Sequence, residues 1–172
     1  MTSTSTERPM PPLNADERMN LESWLDFYRA TLAMKCEGLT EEQLRTASVS
    51  PSSLTLLGLV QHMAEVERNW FRRVLTGEDA PAIYGQPVGT EGHDEGFGLA
   101  DDASFEAARN TWEDEITRAR ANCAARSLDD TSPFMGSEVS LRWIYTHMVG
   151  EYARHDGHAD LIRERIDGST GV

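Results

Sequence analysis

Cysteine is scarce in this chain. Only Cys36 and Cys123 occur in 172 residues, in no close-spaced motif, so a disulfide framework has little to build on. Two reduced thiols fit a cytoplasmic protein. Positive charge is short as well. Sixteen Lys and Arg stand against 29 Asp and Glu, a formal net charge of −13, which opposes non-specific attraction to nucleic acid or an anionic membrane. Long apolar runs are missing, and the opening residues, Met1 to Pro12, are polar and Pro-rich, with no stretch of signal-peptide or membrane-spanning length. Residues 1–13 are therefore expected to form a disordered tail. The chain also lacks a convincing strand run and any internal repeat.

Helical periodicity is what the sequence does have. Leu21, Trp24, Leu25, Phe27, Tyr28, Leu32 and Met34 recur at helical spacing among charged residues, with Gly38 as a stop, which predicts a first helix over about 14–37. Thr40-Glu-Glu-Gln43 offers a capping box for a short helical turn. A second long helix carries Leu56, Leu59, Val60, Met63, Val66, Trp70, Phe71 and Val74 on its apolar face up to Gly77, with His62 within it. Residues 77–101 hold Gly, Pro and acidic residues without periodicity, and are long enough to be a functional loop. The third helix is expected to start near Ser104, with Phe105, Ala108, Trp112, Ile116 and Ala119 inside, and to end around Leu128. A connector from Asp129 to Glu138 leads to a fourth helix, about 140–166, stopped by Asp167-Gly168. One all-α domain over 14–168, a four-helix bundle, follows from these four amphipathic segments.

The fourth helix contains the chain's most informative pattern. His147, Glu151 and His155 are spaced by four, so they form one stripe, each about 6 Å further along the axis. Glu and His are expensive to bury unless paired or metal-bound, and this helix also carries Leu141, Trp143, Ile144, Met148, Leu161 and Ile162. His147 and His155 lie about 12 Å apart along the axis, too far to hold one ion together. Spacing leaves two pairs open, His147 with Glu151 and Glu151 with His155, each needing His62 as a third ligand. The competing reading of a Glu–His pair is a solvated helix-surface contact worth a few tenths of a kcal/mol.

The segments Leu54 to Phe71 and Leu141 to Asp160 resemble the DinB/YfiT-like superfamily of metal-dependent enzymes, with helices two and four matching most closely. The resemblance implies a four-helix bundle with a divalent metal between helices two and four, held by His62, Glu151 and His155. Many members have His where this chain has Glu151, but the branch resembling mycothiol-dependent maleylpyruvate isomerase has Glu there. Two neutral imidazoles and one carboxylate leave a dication one net positive charge and an open coordination position, which admits water or a thiol. Zinc is the favoured metal and nickel the second choice. The activity implied is transfer or isomerisation of small electrophilic molecules with a low-molecular-weight thiol such as mycothiol. The alternative is a non-catalytic metal-binding bundle used for small-molecule sensing or sequestration. The resemblance, with the aromatic content of helices one to three, also raises the expectation of a homodimer.

Other residues have plainer readings. His147 is expected to be a core histidine or a support for the ligands, and His158, one turn past His155, to orient a ligand or face the pocket mouth. His93, in Gly-rich surroundings, is expected to be solvated. Trp70, Trp112 and Trp143 read as core packing. Asp156 and Asp160 read as a solvated helix face, with support of the metal ligands as the lesser reading. Arg68, Arg72 and Arg73 either meet an anionic substrate or complement a helix C-terminus.

Overall fold

The computed structural model describes residues 7–87 and 89–171. Its elements are helices α1 (Glu17–Cys36), α2 (Glu41–Leu44), α3 (Leu56–Arg68), α4 (Phe105–Ala124) and α5 (Leu141–Asp167), with a hairpin of β1 (Thr131–Phe134) and β2 (Ser137–Ser140) before α5. The described residues fall into two compact units. One contains the chain up to Leu56 together with Tyr145 onward, the other Leu57–Ile144.

In the first unit, local chemistry sets the helix ends. The Asp16 carboxylate accepts from the Met19 N–H at 2.9 Å and caps α1. Thr40 and Gln43 form the reciprocal capping box that their spacing predicts. Leu25 and Leu32 of α1 are fully buried, as are Met148, Tyr152 and Ala159 of α5. Arg163 on α5 donates to the carbonyls of Lys35 and Glu37 at 3.0 and 2.8 Å, placing a cation on the carbonyl-rich end of α1. At the other end of this pairing, Tyr145 donates to Glu22 at 3.1 Å. Of the expected 1–13 tail, residues 1–6 lie outside the described residues. Beyond them, Pro11 is buried and the Arg8 guanidinium lies 4.6 Å over the Phe27 ring while donating to Thr31.

In the second unit, α3 does not end where its α-helical bonding does. It continues as a π-helical stretch, Asn69–Val74, whose wider turns loosen the regular bonding ladder. Asn122 of α4 donates its side-chain amide to the Phe71 carbonyl at 2.9 Å, and Ser132 of β1 donates to the Leu75 carbonyl at 2.8 Å. The inner face of α4 is as its period indicates, with Ala108, Trp112, Ile116 and Ala119 buried.

The hairpin departs from the sequence reading, which had a connector there and no strand. Met135 and Gly136 both take left-handed backbone, φ 49° and 78°, the conformation of a two-residue turn between right-twisted strands. Phe134 pairs with Ser137 and Thr131 with Ser140. Four-residue strands holding Pro133 give almost no alternation to read, which is why the pattern escaped notice.

Candidate metal centre

The stripe on α5 is a real contact series. Glu151 Oε2 lies 3.6 Å from His155 Nε2, and Glu151 Oε1 lies 3.9 Å from His147 Nε2. The opposite nitrogen of His155, Nδ1, faces His158 Nδ1 at 3.3 Å, so the ring turns its Nε2 toward the carboxylate. The His155 side chain is buried, Glu151 is half-buried and His147 is more open still. Burial lowers the His147 pKa, with Glu151 opposing, and keeps that ring neutral at pH 7.

His62 is built from the loop side. It is buried on α3, its Nδ1 is 2.9 Å from the Glu95 carbonyl, and its ring stacks on Phe97 with centroids 3.9 Å apart and planes 16° from parallel. Its neighbours on α3 grip the same loop. Gln61, with its amide oriented to satisfy both acceptors, donates to the carbonyls of Gly96 and Gly98 at 3.0 Å each. Glu65 accepts from the backbone N–H groups of Ile83 and Tyr84. The described residues of segment 77–101 form no helix or strand, as expected, and are held to α3 by these side chains.

One ligand atom each of His62, Glu151 and His155 lies within 4.8 Å of the others, a group able to hold a metal ion. The donors are two imidazoles and one carboxylate, a set that suits a borderline dication better than a hard one. His147 is outside this group.

Residues 20–168 match the family model for mycothiol-S-transferase. The chain belongs to the mycothiol-S-transferase family. This is a DinB/YfiT-like family, as residues 54–71 and 141–160, around α3 and in α5, indicated. Among curated proteins none matches the sequence significantly. In this mycothiol-S-transferase family member the match runs from within α1 to just past the end of α5, and all three grouped residues fall inside it.

Several other expectations need correction. Trp112 is buried, but Trp143 is 47 % exposed and lies beside Trp70 at 5.2 Å between centroids. Asp156 is not solvated: it is 4 % exposed, and neither carboxylate oxygen has a hydrogen-bond partner among the described residues. Burial, with Asp160 adding to it, pushes its pKa up to about 8 against the pull of Lys35 and Arg8. The three arginines are not poised for a substrate. Arg68 and Arg72 both donate to Glu115, Arg72 also forms a two-pronged pair with Glu78, and Arg73 lies 3.5 Å from Glu65. His93 is half-buried, with Nδ1 2.8 Å from the Gln86 carbonyl. Sequence reasoning missed Gln61, Glu95 and Phe97. Two of these act through backbone or an amide, and the third sits in a loop with no period to reveal it; the glycines at 92, 96 and 98 around Asp94 were the available signal.

Proposed function

We propose that this protein holds one divalent cation on His62, Glu151 and His155 and transfers mycothiol, or another low-molecular-weight thiol, to a small electrophile. The observation that carries the reading is the convergence of those three ligand-type atoms within 4.8 Å in a chain of the mycothiol-S-transferase family. Zinc is the metal proposed, with nickel second. The likeness also supports α1, α3, α4 and α5 as a four-helix bundle in a cytoplasmic protein; the homodimer rests on the likeness alone.

The residues have distinct work in this reading. His155 presents Nε2 because its Nδ1 is engaged by His158, and His62 presents Nε2 because its Nδ1 is engaged by Glu95. Glu151 supplies the one negative charge. His147, neutral at pH 7, adds no competing positive charge beside it. A cation bound by this set lowers the pKa of a thiol that joins it, making thiolate chemistry available near neutral pH.

Calorimetry of the metal-loaded protein in two buffers of different ionisation enthalpy tests this, with mycothiol, bacillithiol and glutathione as ligands. Binding should release a proton and should vanish in Glu151→Ala and after chelation. If the loaded protein binds none of the three thiols, the transfer reading falls and sensing or sequestration of small molecules takes its place.

A further inference from the structure

The turn from Asp94 to Gly98 is more elaborate than a connector requires. Glu95 holds a left-handed backbone, φ 55°, although it is not glycine, and Gly96 follows at φ 87°. A Cβ on Gly96 would stand 3.2 Å from the carbonyl carbon and oxygen of Gln61 and 3.3 Å from Glu65 Cγ, so the turn lies directly against α3. The Asp94 carboxylate accepts from the N–H groups of Gly96 and Gly98 at 3.1 and 2.9 Å, while Gln61 donates to the carbonyls of the same two residues. A non-glycine residue such as Glu95 persists in left-handed backbone only when its surroundings over-determine it, whereas Gly96 adopts it freely. Here the result is one carbonyl and one aromatic ring, both delivered to His62.

A carbonyl can only accept. Its partner, His62 Nδ1, must therefore carry the proton, and in a neutral imidazole that leaves the lone pair on Nε2. The Phe97 ring, nearly parallel to the imidazole, restricts rotation of the ring about its last side-chain bond.

We propose that the Asp94–Gly98 turn is a positioning device for the metal centre: the Glu95 carbonyl selects the His62 tautomer and Phe97 sets its plane, so that Nε2 is presented ready for a cation. The proposal rests on His62 being a metal ligand. Glu95 and Phe97 are positioning residues and touch neither cation nor substrate. The turn thereby couples loop 77–101 to metal affinity, and whatever loosens it loosens the metal.

The test uses full-length protein in two measurements. In metal-free protein with ¹⁵N-labelled histidine, NMR should find His62 in the Nδ1–H tautomer, with Gly96→Ala admitting the Nε2–H form. Zinc affinity by chelator competition should fall about 10–100-fold in Gly96→Ala and in Phe97→Leu, the range seen when supports of metal ligands are removed. Phe97→Tyr, which keeps the ring face, should restore most of the affinity, a rescue that a general packing role would not single out. An Nε2–H tautomer in the wild type, or zinc binding by Gly96→Ala and Phe97→Leu as tight as the wild type's, overturns the proposal. A wild type that binds no zinc overturns the metal reading instead, and the tautomer still decides whether the turn acts on His62.

Discussion

Replacing Glu115 by Gln should destabilise the protein severely although it changes one atom. The Glu115 side chain is 2 % exposed, and its Oε1 accepts from Arg68 at 2.6 and 3.0 Å and from Arg72 at 2.7 Å. Both guanidinium groups are themselves at most 16 % exposed, so the amide would leave two largely buried cations facing a neutral group. Breaking a buried pair in this way costs about 3–5 kcal/mol. The lower end applies here, because Arg72 keeps Glu78 and Arg68 keeps the Pro81 carbonyl. For a chain of this size about 3 kcal/mol corresponds to a fall in Tm of about 6–12 °C. Glu78 is the internal control. Its side chain is 44 % exposed, and Glu78→Gln should lower the Tm far less than Glu115→Gln does, despite the short contacts to Arg72. Urea unfolding and thermal melts of both variants make the comparison. Losses of similar size, or a Glu115→Gln protein as stable as the wild type, would refute the claim that this cluster is structural and return the arginines to candidacy for an anionic substrate.

Two further outcomes concern α5. Asp156 has a folded pKa of about 8 against an ordinary value of 3.8, so the fold favours its protonated form. Its stabilising contribution is complete below about pH 4 and is lost as pH rises through 8, by several kcal/mol at the outside. Asp156→Asn should therefore match the wild type in acid, exceed it increasingly from about pH 4 to pH 8 and keep a constant margin above that in urea unfolding; parallel profiles would contradict this. Gly157 lies inside the helix, and a Cβ there meets nothing within 4 Å. Gly157→Ala should add about 0.5–1 kcal/mol in the same assay, and a destabilised variant would show that the helix needs glycine there.

What could be read from the sequence follows what has a period or a fixed spacing. The four long helices and the Thr40–Gln43 box are set by residues a few positions apart and appear close to where their spacing indicates, although α4 stops at Ala124, short of the expected Leu128. Spacing alone did not choose between His147 and His155; the family resemblance did, and His62, Glu151 and His155 are a group whose ligand-type atoms lie within 4.8 Å of one another. The strands around Met135–Gly136 were too short to alternate, and the π-helical stretch after Arg68 keeps an apolar face much like that of a continuing α-helix. Asp156 was misread because it is buried and acted on by charges distant in the chain, Lys35 and Arg8 among them, which no local spacing reveals. The turn behind His62 was invisible for a similar reason, since its contacts to Gln61 and His62 are made largely by backbone atoms more than thirty residues away.

Metal content tests the central claim most directly. Elemental analysis of the purified protein should find about one divalent metal per chain, as expected for a single three-residue site. His62→Ala, Glu151→Ala and His155→Ala should each lose most of it, while His93→Ala, altered in the same protein but outside the group, should keep it. Metal retained equally in His155→Ala and His93→Ala, or absent from the wild type after loading with zinc and with nickel, would contradict the account.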